Sequence, residues 1–278
     1  MMPAVMPGHI HAAPESRVLA YWLTLVLVST AIVYLVGWLH LRWTSLKSIP
    51  AWRAASFCLG IFFTWVAAAS PIASFDGRML TAHMVQHLLL MTFAPPLIWL
   101  GAPVMPFLYG LPPTRLLSRR PLMPKIGRLL GHPLFCWLAA AAALVVWHVP
   151  ALLDLGMKSP PWHLIEHLTF FATGLLFWWP VIRPWPSVSR WPPWSMVLYL
   201  FLATLPCDVL SGFLVFSDRI AYPMYLSMPR MSGLSVLQDQ QCAGALMWTC
   251  VTVVFLIAGT VLSMQLLSPQ ERSQAAEV

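Results

Sequence analysis

Apolar residues run along this chain in blocks too long for the core of a water-solvated domain. Seven mostly apolar stretches can be marked, at about 18–40, 53–70, 79–100, 133–154, 162–182, 194–216 and 241–267. Each is near the roughly 20 residues that carry a helix across a bilayer. The breaks between them are chemically plain: Ser70-Pro71 ends the second, Gly101-Ala102-Pro103 the third and Arg183-Pro184-Trp185-Pro186 the fifth. Proline removes a backbone donor and turns the residue before it away from helix. Inside the spans, Pro95-Pro96 and Pro150 predict kinks, which membrane helices tolerate when neighbours satisfy the freed carbonyls.

Composition agrees with this pattern. Of 278 residues, 59% are hydrophobic and 9% charged, against about 45–50% and about 25% in soluble domains. A water-soluble, collagenous, disordered or nucleic-acid-binding protein is thereby excluded. The formal charge of +7 reads as a topology signal. With the N-terminus outside, eleven Lys and Arg fall on the inner side and five on the outer, the latter being Arg17, Arg78, Lys158, Arg219 and Arg230. Trp38, Trp43, Trp52, Trp178, Trp179, Trp185, Trp191 and Trp194 then read as an inner interfacial belt. The first span has no basic region before it and is too long for a signal core, so it reads as a retained helix.

The expectation is an all-α integral membrane protein, a seven-transmembrane-helix bundle with its N-terminus outside and its C-terminus cytoplasmic. Residues 18–267 form one domain, between an external Met/His-containing tail at 1–17 and a cytoplasmic tail at 268–278. The 101–131 loop is the largest cytoplasmic connection and the 217–239 loop, with Tyr222 and Tyr225, the largest external one. None of the five cysteines forms a C-x-x-C pair; a bridge between Cys207 and Cys242 is a weak candidate.

Histidine carries the chemistry. His40 and His132 fall at inner boundaries and His9 and His11 in the outer tail. His83, His87, His148, His163 and His167 all map to the outer third of the third, fourth and fifth spans. His83 and His87 are i,i+4 and share a helix face, as do His163 and His167. Polar groups are costly in a bilayer and need a partner, and five imidazoles at one depth satisfy one another by chelating a metal. Imidazole suits zinc, copper, iron and nickel, whereas thioether sulfur favours Cu(I).

Met79, His83, His87 and Met91 share an i,i+4 stripe, although methionine is also a common core filler. Gln86 lies between the first two histidines and Glu166 between the second two, where Glu166 would orient a ligand, ligate or act as a base. Asp208, Asp239, Gln240 and Gln241 fall toward the same face. Asp239 reads equally as the N-cap of the last helix and as a support for the ligands.

Three readings follow. A copper carrier uses the five histidines as its site. A zinc-dependent membrane hydrolase uses His163-Leu164-Ile165-Glu166-His167 as an H-x-x-E-H motif. A haem protein takes one axial histidine from each of two helices.

The residue pattern also resembles the seven-helix CtaG family of bacterial cytochrome c oxidase assembly factors. The resemblance runs over Ser70-Pro71-Ile72, His83-Met84-Val85-Gln86-His87-Leu88-Leu89-Leu90-Met91, Ala94-Pro95-Pro96-Leu97 and Leu100-Gly101-Ala102-Pro103. It continues through Trp147-His148-Val149-Pro150, the H-x-x-E-H segment, Phe177-Trp178-Trp179-Pro180-Val181, Asp239-Gln240-Gln241-Cys242-Ala243-Gly244 and Met247-Trp248. It implies a multi-pass protein of the bacterial inner membrane that helps build a haem-copper oxidase. The implied cargo is copper, passed to an oxidase subunit after receipt from a periplasmic copper donor, and no enzymatic activity is implied. The tail at 1–17 and Cys207 match no part of that pattern.

Overall fold

The computed structural model describes residues 14–44, 49–110, 131–183, 191–228 and 233–267, and over these every regular element is helical. The elements are α1 (Pro14–Thr44), α2 (Ala51–Ala68), α3 (Leu80–Leu88), α4 (Ala94–Leu100) and α5 (Val104–Gly110), followed by α6 (Pro133–Trp147) and α7 (Pro150–Lys158). Then come α8 (Pro160–Ile182), α9 (Pro193–Phe216) and α10 (Val236–Leu267). Short 3-10 turns at Pro71–Phe75 and Pro223–Leu226 and a π turn at Leu89–Phe93 complete the set.

Helices α1, α2, α8, α9 and α10 are each long and apolar enough to cross a membrane. Two further stretches qualify only as bent pairs, giving up to seven spans: Leu80–Leu100 with α5 at 67°, and α6 with α7 at 77°. Leu25, Val26, Ile32, Phe201, Val209, Leu256 and Ile257 lie exposed on the flanks, an apolar surface suited to lipid. The α3–π–α4 run is central, packing against α2, α8 and α10, while α1 packs on α5, α6 on α8 and α9 along α10.

The proline breaks shape the site. The kink that the sequence predicts at Pro150 within the 133–154 span is a full break: α6 stops at Trp147 and α7 turns away by 77°. Val149 is extended before Pro150, as the proline ring requires, and His148 is left as the helix C-cap. Pro95 has no N–H for the carbonyl four residues back. That Met91 carbonyl accepts a bond from Trp178 Nε1 at 3.2 Å instead. Trp178 is therefore a core residue, 2% exposed, and not part of an interfacial belt. A β-carbon on Gly174 of α8 would meet Met91 Cα at 2.9 Å, so this glycine is what lets α8 lie against the π turn.

All five cysteines are free; Cys207 is buried and Cys242 exposed, and no bridge joins them. The tail at 1–13, with His9 and His11, the loop residues 111–130 and the tail at 268–278 lie outside the described residues.

Candidate metal centre

Helices α3 and α8 begin, and α6 ends, at one end of the bundle, and five histidines meet there. His83 and His87, one turn apart on α3, have ring centroids 4.2 Å apart, and His163 and His167 on α8 repeat this at 4.1 Å. The two pairs face each other, with His83 5.8 Å from His163 and His87 6.2 Å from His167. His148, carried at the proline break, stands 6.1 Å from His87. His40 and His132 are elsewhere, against Tyr109 and Trp191 respectively.

Glu166 reaches into the middle of this patch from α8. Its Oε1 lies 3.3 Å from His83 Nε2 and 3.2 Å from His87 Nε2, with His83 and Glu166 fully buried. Neither contact is aligned as a hydrogen bond. A second carboxylate, Asp76 on the turn before α3, has Oδ2 3.3 Å from His163 Nε2. Two candidate ligand groups result, His83–His87–Glu166 and Asp76–His83–His163, each with its donor atoms within 4.8 Å of one another. They share His83, and only the Asp76–His163 edge is partly exposed, at 15% and 23% of the side chain.

The buried polar atoms test whether a metal fits. Both ring nitrogens of His83 and His87, Nε2 of His148, His163 and His167, and both Glu166 oxygens are buried without a hydrogen-bond partner. Those without a carboxylate contact, among them Nδ1 of His83 and His87 and Nε2 of His148 and His167, cost roughly 1–3 kcal/mol each, and a cation bound through one nitrogen of each ring removes part of that cost. His148 is already set for ligation: Nδ1 donates to the Leu144 carbonyl at 2.7 Å, which leaves a lone pair on the inward Nε2.

The flanking polar residues position this cluster. Asp239 reads from sequence equally as its own helix's N-cap, but Ser235 does that, exchanging bonds with Gln238 in a capping box. The Asp239 carboxylate instead accepts Leu80 N–H at 2.7 Å, Thr81 N–H at 3.2 Å and the Thr81 hydroxyl at 2.6 Å, capping α3 from α10. Gln240 holds the 217–222 segment through Ala221 N–H and the Arg219 carbonyl. Gln86 donates to the Ala73 carbonyl at 3.0 Å and lies 3.4 Å from Asp76 Oδ2.

Tyr222 and Tyr225 donate to the backbone carbonyls of His148 and Asp76, each at 3.1 Å. Burial raises both phenol pKa values, and nearby carboxylates add to the rise at Tyr225, so both remain neutral donors.

Other positions differ from expectation. Met79 is the extended residue before α3 and Met91 lies in the π turn, so neither continues a regular stripe with the histidines. Asp208 is half-buried beside Cys207, Gln241 is half-buried on α10, and neither belongs to a ligand group. Asp76 is a site residue that the sequence reading does not single out. It is one of only nine acidic residues and lies seven positions before His83, and that scarcity is the signal that points to it.

The model of the cytochrome c oxidase caa3 assembly factor family matches residues 32–268. An uncharacterized protein of Mycobacterium tuberculosis is 26% identical over 265 residues, covering 88% of this chain and 40% of the relative. One of Mycobacterium leprae is 23% identical over 251 residues, covering 85% and 38%. The chain thus spans about two-fifths of the length of these curated relatives. No solved structure matches it significantly.

Proposed function

The chain belongs to the cytochrome c oxidase caa3 assembly factor family, and from that premise we propose that it binds copper in the histidine cluster and supplies it to the catalytic subunit of the oxidase. It is a multi-pass protein of the bacterial plasma membrane. Copper is here the cargo, and the observation that carries the reading is the concentration of unpaired, buried imidazole nitrogens around Glu166.

The graded exposure of the cluster supports passage of an ion. The carboxylate of Asp76 beside His163 forms a partly exposed mouth that attracts a cation. His83, shared by both ligand groups, is the step inward, and His87, His148, His167 and Glu166 are the deeper donors. With the mouth on the outer side of the membrane, a periplasmic donor loads the site and a neighbouring oxidase subunit unloads it.

The adjoining cavity of about 60 Å³ favours a bare ion over haem, since pockets for larger ligands span roughly 300–1,000 Å³. The buried position of Glu166 favours a carrier over a hydrolase, because an attacked substrate must reach the base.

The test is elemental analysis and absorption spectroscopy of protein purified without chelator, beside a His83→Ala/His167→Ala variant. Bound copper that falls by about one ion per chain in the variant, with lowered oxidase activity in copper-limited cells, is expected. Stoichiometric zinc, a Soret band, or no copper after reconstitution overturns the proposal.

A further inference from the structure

Behind the histidine cluster lies the cavity of about 60 Å³, and of the copper donors proposed above only His87 and His148 border it. His87 and His148 lie at its polar end; the remaining wall is largely apolar but includes the residues Met84, Met91, Met247 and Cys207. Four elements supply them: α3, the π turn, α10 and α9. Met84, Cys207 and Met247 belong to one packed cluster and are each no more than 4% exposed. At the polar end, His87 and His148 are more than nine-tenths buried, and His148 Nε2 and both His87 nitrogens lack partners. The volume holds several water molecules, ample for an ion.

We propose that this chamber is a second, softer metal site, in which Cu(I) received through His87 and His148 is held by the Cys207 thiolate with Met84 and Met247. The inference rests on the copper reading of the histidine cluster. Thiolate binds Zn(II) as well as Cu(I), so the preference for Cu(I) comes from the two soft thioethers beside it. Charge makes the same selection. As Cu(I) binds, the Cys207 thiol releases its proton to solvent, and the resulting Cu(I)–thiolate unit is neutral. A divalent ion there would keep a net charge in an apolar surround, at a large desolvation cost. The nitrogen and oxygen donors near Asp76 and Glu166 admit several metals, whereas the sulfur chamber passes one of them.

The test loads the full detergent-purified chain with Cu(I) under reducing conditions, buffered by bicinchoninate, and reads metal content and X-ray absorption. Two copper ions per chain are expected, with sulfur as well as nitrogen or oxygen neighbours. A Met84→Leu/Cys207→Ser/Met247→Leu variant, which nearly conserves volume, should retain one ion and no sulfur shell. The His83→Ala/His167→Ala variant separates the two claims by losing nitrogen neighbours. Wild type without sulfur neighbours, or a sulfur shell that survives in the Met/Cys variant, overturns the chamber and leaves the histidine site standing. Copper bound by sulfur alone overturns the histidine site, and no bound copper overturns both. The wild-type spectrum needs no variant, so misfolding of the triple substitution does not shelter the claim.

Discussion

Gly156 and Glu166 approach so closely that a β-carbon on Gly156 would stand 2.8 Å from Glu166 Oε2. The bend at Pro150 turns α7 back over the start of α8, and only hydrogen at position 156 leaves the carboxylate its place between His83 and His87.

Gly156→Ala should therefore separate folding from ligation. The clashing atom is the tip of a flexible side chain, so the fold survives, and alanine gains about 0.5–1 kcal/mol of helix preference. Copper affinity, read by chelator competition, should fall about tenfold or more. Unchanged affinity would show that Glu166 does not need its observed position.

Glu166→Gln keeps volume and removes the charge. For a carrier in which this carboxylate ligates or aligns His83 and His87, copper affinity should drop roughly 10–100-fold. A variant that keeps its metal at full occupancy but loses a hydrolytic turnover would identify the H-x-x-E-H segment as a zinc catalytic motif instead.

Removing the inter-helix cap by Asp239→Ala leaves the Leu80 and Thr81 amides without their acceptor. Cap loss costs about 0.5–2 kcal/mol, and the thermal midpoint in detergent should fall accordingly. Because the start of α3 carries His83, copper affinity should fall with it; a midpoint equal to wild type would refute the cap.

Tyr222→Phe deletes the bond to the His148 carbonyl while keeping the ring in its packed cluster. A loss of about 1 kcal/mol in stability is expected, with copper affinity lowered several-fold. With the pKa raised by burial, the phenol stays protonated as pH rises, so the difference from wild type should not vary with pH in the neutral range.

Much of the architecture is legible in the sequence because membrane helices announce themselves by length and hydrophobicity, and prolines mark their breaks. The i,i+4 spacing of His83/His87 and His163/His167 likewise puts each pair on one helix face by periodicity alone. What non-local packing decides is not legible in that way. Asp239 serves α3 and not its own helix because Ser235 and Gln238 already cap α10. Trp178 looks interfacial because tryptophan favours that zone, yet the carbonyl freed by Pro95 draws its indole inward. The sharpness of the bend at Pro150 is hidden too, since a proline can either kink or end a membrane helix.

The cap on α3 comes from a residue 159 positions later than Leu80. On the ribosome, α3 emerges long before Asp239 has been synthesised. The order of translation therefore leaves the first turn of α3 untethered until α10 has been inserted and docked. A chain cut short before Val236 would carry all five clustered histidines without the clasp that fixes where α3 begins. The start of α3 is thus fixed only once α10 has docked against it.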